Sequence, residues 1–115
     1  VDVILQDSVL GTPFGGVKVL NAQLRYLREL SELPNVLLRS IPATSPVTRM
    51  PLDIYEFGGP DGPAVASSES IFSTVVHDGP LEVRQARRAL ERVRSAALPP
   101  EETIRLIEQR IRETH

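Results

Sequence analysis

His77 and His115 are the only imidazoles in this chain of 115 residues, and His115 is its last residue. His77 and Asp78 lie shortly after Ser70 and Ser73, so the residue types of a nucleophile, a base and an orienting carboxylate occur close together. Acyl transfer by such a set requires serine and imidazole within hydrogen-bond reach of one another. No nucleophile-elbow glycine pattern surrounds either serine, so the expectation is a strand-end histidine followed by an aspartate that caps a helix. Metal chemistry has fewer donors still. The chain has no Cys, no second internal His, and no HExxH-like or Asp-rich loop. Lack of Cys also removes disulfides and the thiol nucleophile. Gly15-Gly16 can present N–H groups to an anion at a helix start. The following Val17-Lys18 lacks Walker spacing, however, and a GxGxxG is missing, so the pair is expected to turn the chain into the helix. We therefore expect no catalytic residue, no metal and no cofactor, and a protein that is not an enzyme. A small hydrolase is the remote alternative.

Arg84, Arg87, Arg88, Arg92 and Arg94 crowd one short segment, with Glu82 and Glu91 among them. The ordinary expectation is a solvated face paired with nearby carboxylates. The functional one is docking of an acidic partner surface, or contact with DNA beside a separate DNA-binding domain. Over the whole chain 13 basic residues face 15 acidic ones, a net charge of −2. Displacing counterions from phosphates needs a basic excess, so direct DNA binding by this domain alone is not expected.

These residues must be positioned by elements that local patterning makes legible. Val1 to Gln6 reads as a strand, and Gly11 to Gly16 as a loop. Val17 to Leu33 reads as a helix stopped by Pro34. At 100° per residue, Val17, Leu20, Leu24 and Leu27 form one apolar stripe; Val19, Tyr26, Leu30 and Leu33 form a second. Together they span roughly 220°, far more than one buried face requires. Either this is a central helix covered by the sheet and the C-terminal helices, or part of it faces another chain.

Val36 to Ile41 is a second strand, followed by a Pro- and Thr-containing loop from Ala43 to Pro51. Leu52 to Phe57, Ala64 to Ser68 and Ile71 to Val76 are three further strands, expected to form a meander because their connections are short. Asp78-Gly79-Pro80 opens a second helix, with Val83, Ala86, Leu90, Val93 and Ala97 as its seam. Pro99-Pro100 ends it and starts a third helix to about Thr114, with Ile104, Ile107 and Ile111 on its apolar face. Glu101–Arg105 and Glu108–Arg112 are candidate i, i+4 pairs. The fold class is α+β in the order β-α-β-β-β-β-α-α, a mostly antiparallel sheet packed against helices. Residues 1–115 are read as a single regulatory domain. Because strand-like sequence begins at Val1, an N-terminal portion is expected to be missing.

Three stretches carry a family resemblance. Val9-Leu10 through Phe14-Gly15-Gly16 precede Gln23-Leu24-Arg25-Tyr26-Leu27 and Leu33-Pro34-Asn35-Val36. Pro51-Leu52-Asp53-Ile54-Tyr55-Glu56-Phe57 is followed by Val65 and Glu69. Ala86-Arg87-Arg88-Ala89-Leu90-Glu91-Arg92-Val93 leads into Ala97-Leu98-Pro99-Pro100-Glu101-Glu102-Thr103. In order and spacing the chain resembles the C-terminal domain of antitoxin-like, XRE-type helix-turn-helix regulators of high-GC Gram-positive bacteria, the WhiJ-like regulators among them. The resemblance covers essentially the whole chain. It departs from the pattern at Gln6, usually acidic, at Ser67, usually aromatic, and at Pro99, usually a serine that caps the last helix.

The resemblance implies a cytoplasmic transcription regulator whose DNA-binding helix-turn-helix precedes this domain. It also implies that the domain responds to a small partner protein, often encoded nearby. DNA would be reached only through the preceding domain, and no membrane is involved. Homodimerisation is a further expectation. The residues expected to meet the partner are Tyr26 and Leu30 as apolar anchors, with Arg84 and Arg88 as charged contacts. The alternative is a small-molecule sensor with its pocket between the sheet and the first helix.

Overall fold

A short run of aliphatic side chains, Val3-Ile4-Leu5, makes the first strand, β1 (Asp2–Gln6), which pairs in parallel with β2 (Leu37–Ile41), with Val3 opposite Leu38 and Leu5 opposite Ser40. Parallel neighbours need a crossover, and α1 (Val17–Ser31) supplies it. In this computed structural model the structure describes residues 1–42, 44–45, 52–58, 62–69 and 72–114. Most of the predicted 43–51 loop, part of the 58–63 turn, Ser70, Ile71 and His115 lie outside the described residues.

Entry into α1 depends on Gly15 and Gly16, at φ 80° and 102°. L side chains rarely adopt such angles. The Gly16 amide donates to Pro13 O at 3.0 Å, so it closes a turn and is not offered to an anion. Chain entry is thus what the glycine pair performs. A short 3-10 turn at Asp7–Leu10, absent from the sequence reading, swings Leu10 into the core.

The chain divides into two compact units, Val1–Pro46 with Ala96–His115, and Val47–Ser95. The first contains β1, β2, α1 and α3 (Pro100–Glu113). Its core joins Leu10, Leu20, Leu24, Leu38, Ile107 and Ile111, with Val3, Leu5 and Leu27 packed partly against them. Leu20 and Leu24 are one helical turn apart, as are Ile107 and Ile111, so each helix turns a single narrow stripe inward.

Two polar joints fix α3. Pro99 offers its N-terminus no side-chain cap. Instead the buried Thr103 hydroxyl donates to Pro99 O at 3.1 Å and accepts from the Ser40 amide of β2 at 3.0 Å. Leu98 N returns a bond to Ser40 O at 2.8 Å. Thr103→Val keeps the shape but strands the buried Ser40 amide, which should cost about 1–3 kcal/mol in urea denaturation, while Thr103→Ser should retain most of it. At the other end of α3, Asn21 Nδ2 donates to Ile111 O at 3.3 Å and to Thr114 Oγ1 at 2.9 Å. Ile111 O is one of the terminal carbonyls a helix cannot satisfy by itself. The predicted pairs Glu101–Arg105 and Glu108–Arg112 do not come within ion-pair distance. Arg110 instead meets Glu113 at 3.5 Å and Asp7 at 3.7 Å. Exposed i, i+4 pairs gain too little over hydration to be held.

The second unit contains β3 (Leu52–Glu56), β4 (Ala64–Glu69), β5 (Thr74–His77) and α2 (Pro80–Ala96) up to Ser95. The three strands form the expected antiparallel meander, with Ile54, Ala66 and His77 in one row across it. Gly62 is required at the β3–β4 turn, since a Cβ there would lie 1.9 Å from Phe57 O. Val83 is the buried residue of α2. The Val83 amide bonds to Gly79 O at 3.0 Å, which places Gly79 at the cap position and Asp78 one residue before it. Prediction of an Asp78 cap is corrected accordingly, because Pro80 as first helical residue fixes its neighbour as the cap. Glu82 occupies the third helical position, and its carboxylate lies against Gly79, where acidic groups favour a helix start.

The α+β class and the element order match the sequence reading. The described strands form two sheets, the parallel pair β1–β2 and the antiparallel β3–β4–β5. Among the described residues no helix is long and apolar enough to cross a membrane.

Candidate partner-binding site

Helix α1 is apolar on more sides than its own unit covers. Leu20 and Leu24 are buried and Leu27 is partly buried, so the first stripe is core except at its start, where Val17 is exposed. The second is mostly outside: Val19 is 55% exposed, Tyr26 53% and Leu33, just past the helix end, 47%. Leu30 between them is half-buried. A central helix covered all round is therefore not what forms. The β1–β2 pair and α3 supply neighbours for one stripe, and the other, Leu30 apart, stays mostly in solvent.

Tyr26 and Leu30 thus lie one turn apart on α1, with Tyr26 the more accessible. Arg84 and Arg88 lie one turn apart on α2, both exposed. The four predicted contact residues form two pairs, one in each compact unit.

The catalytic arrangement weighed for His77 does not assemble with Ser73. Ser73 immediately precedes β5 and His77 ends it, so an extended backbone separates them by roughly 10 Å or more. Ser70 lies outside the described residues. Space expected for a ligand between α1 and its sheet is taken by Leu10, Leu24, Leu38 and Ile107. Two clefts lie elsewhere. One, of about 530 Å³, opens where Val17, Lys18 and Asn21 of α1 meet Glu113 and Thr114. The other, of about 710 Å³, lies in the second unit, with Phe57, Val65 and Val83 among its apolar walls and Arg84, Arg87 and Asp78 among its charged ones.

The sequence profile of a family described as Domain of unknown function (DUF5753) matches residues 1–109. The chain belongs to this family. No curated protein and no solved structure matches it. In this DUF5753 domain Glu69, singled out by the resemblance, is an exposed residue at the end of β4, opposite Thr74. Among the described residues no three His, Asp or Glu side chains are grouped to hold a metal ion.

Two features of the DUF5753 domain escaped the sequence reading. Asn21, outside both apolar stripes of α1, holds the end of α3; its partners lie 90 and 93 residues away, and no local signal marks them. Arg92 was counted among the arginines of α2 but not separated from those with carboxylate partners. Its spacing of four from Arg88 was the available signal.

Proposed function

We propose that this DUF5753 domain is the regulatory module of a helix-turn-helix transcription regulator. It binds a small protein partner, in the manner of an antitoxin, and alters the DNA affinity of a helix-turn-helix domain joined to its N-terminus. The observation that carries this reading is the exposed second stripe, Val19 and Tyr26 of α1 with Leu33 just beyond it, on a helix that already buries Leu20 and Leu24 on its other stripe. An aromatic anchor amid aliphatic neighbours has the composition of an interface centre. The family resemblance supplies the regulatory context, and the spacing of Ser73 from His77 favours a binding role over hydrolysis. Dimerisation and a cytoplasmic setting are part of the same proposal. A small-molecule sensor is less favoured, because side chains fill the space beneath α1.

A partner changes DNA affinity only by binding DNA-competent and incompetent states differently. Chromatin immunoprecipitation of the native polypeptide should recover defined fragments. Adding the small protein encoded beside it should shift affinity for those fragments by about 5- to 150-fold in anisotropy titrations. Failure to enrich any fragment, or an affinity indifferent to the partner, would overturn the reading.

A further inference from the structure

The arginines of α2 divide by what faces them. Arg87 Nη1 lies 3.2 Å from Glu56 Oε1, and Arg94 pairs with Glu91 on its own helix. Arg84, Arg88 and Arg92 are exposed, and among the described residues no carboxylate stands within ion-pair distance of any of them. Steps of four residues place them on successive turns, about 6 Å apart along the axis and about 40° apart around it. They form a row roughly 12 Å long on one side of the helix.

Apolar surface adjoins one end of this row. Arg84 lines the cleft that also has Phe57, Val65 and Val83 in its walls. Phe57 is 57% exposed, and Leu81, one turn before Arg84 on the same side, is 58% exposed. The surface is therefore cationic along its length and apolar at its head.

We propose that this row and cleft dock an acidic amphipathic helix of a partner protein. Glutamates spaced i, i+4, i+8 repeat along a helix with the same rise as Arg84, Arg88 and Arg92, so three carboxylates can meet three guanidiniums in register. Guanidinium forks suit carboxylates bidentately, and a large apolar side chain beside those carboxylates enters the cleft at Phe57. Nucleic acid fits less well. Asp78 lines the same cleft, the chain carries a net charge of −2, and Phe57 and Leu81 offer a phosphate backbone nothing. This inference rests on the partner-binding reading and assigns the partner's chemistry at the second unit.

The test is an anisotropy titration of the native polypeptide with a fluorescein-labelled helical peptide bearing Glu at i, i+4 and i+8 and Leu on the flanking positions. The triple variant Arg84→Gln/Arg88→Gln/Arg92→Gln should bind it at least about tenfold more weakly, and added salt should weaken the wild type in the same direction. Arg94→Gln, which removes an already paired arginine, should leave affinity nearly unchanged. Arg84→Glu/Arg88→Glu/Arg92→Glu should reject the Glu peptide and accept its Lys counterpart. Absent peptide binding, equal binding by the triple variant, or tighter capture of random-sequence duplex DNA through the same three arginines would overturn the proposal. If the peptide arm fails while the partner still shifts DNA affinity, the row alone is misassigned. If peptide binds but DNA affinity never responds, the regulatory reading is the one that falls.

Discussion

Ile107→Ala is expected to destabilise the chain by about 2–5 kcal/mol, the range for truncating a fully buried aliphatic side chain. Ile107 has no exposed surface, and it lies in the cluster made by Leu10, Leu20, Leu24, Leu38 and Ile111. Removing its outer carbons takes contacts from β2, α1 and the 3-10 turn together, and the backbone has little freedom to collapse into the gap. Thr103 holds α3 to β2 at one end, and Asn21 holds it to α1 at the other. Typical domains are stable by only about 5–15 kcal/mol, so one residue removes a large share. Thermal denaturation should show a fall of roughly 10 °C or more. Hydrogen exchange should accelerate in β1, β2, α1 and α3. A loss of only about 0.5 kcal/mol, the size of a typical surface effect, would mean that α3 does not pack as described.

Tyr26→Ala should do the reverse. With 53% of its surface in solvent, its truncation is expected to change stability by no more than about 0.5 kcal/mol. If the second stripe of α1 is where the partner lands, the same change should weaken partner binding by about 2 kcal/mol or more, near 30-fold, as for a central aromatic anchor. Isothermal titration with the partner, alongside circular dichroism of the free variant, separates the two effects. A native, stable variant that binds as well as wild type would remove Tyr26 from the interface. Leu30→Ala is a poorer probe, because Leu30 is half-buried and its truncation costs packing as well. Tyr26 therefore carries the decision.

The contrast between Ile107 and Tyr26 marks where sequence reading ends. Both lie at apolar positions of amphipathic helices, and both were singled out by helical spacing. Periodicity identifies an apolar face without naming what covers it, so α1 offered two stripes and no means of choosing between them. Likewise Arg84, Arg87, Arg88, Arg92 and Arg94 were visible as a basic cluster. Only the placement of Glu56, on a strand about thirty residues earlier in the chain, withdraws Arg87 from it.

What this sequence settles by itself is local. Its β-branched runs make strands, the 3.6-residue repeats make α1, α2 and α3, and Gly16, Pro80 and Pro100 set where those helices begin, because φ preference and lost amides act within a residue or two. Tertiary structure decides the rest: the division of the described strands between a parallel and an antiparallel sheet, the seat of Thr103 on Ser40, and the choice of which α1 stripe supplies the core. Each of those depends on partners tens of residues distant, whose approach is governed by packing and hydrogen-bond satisfaction across the whole fold and leaves no periodic trace in the chain.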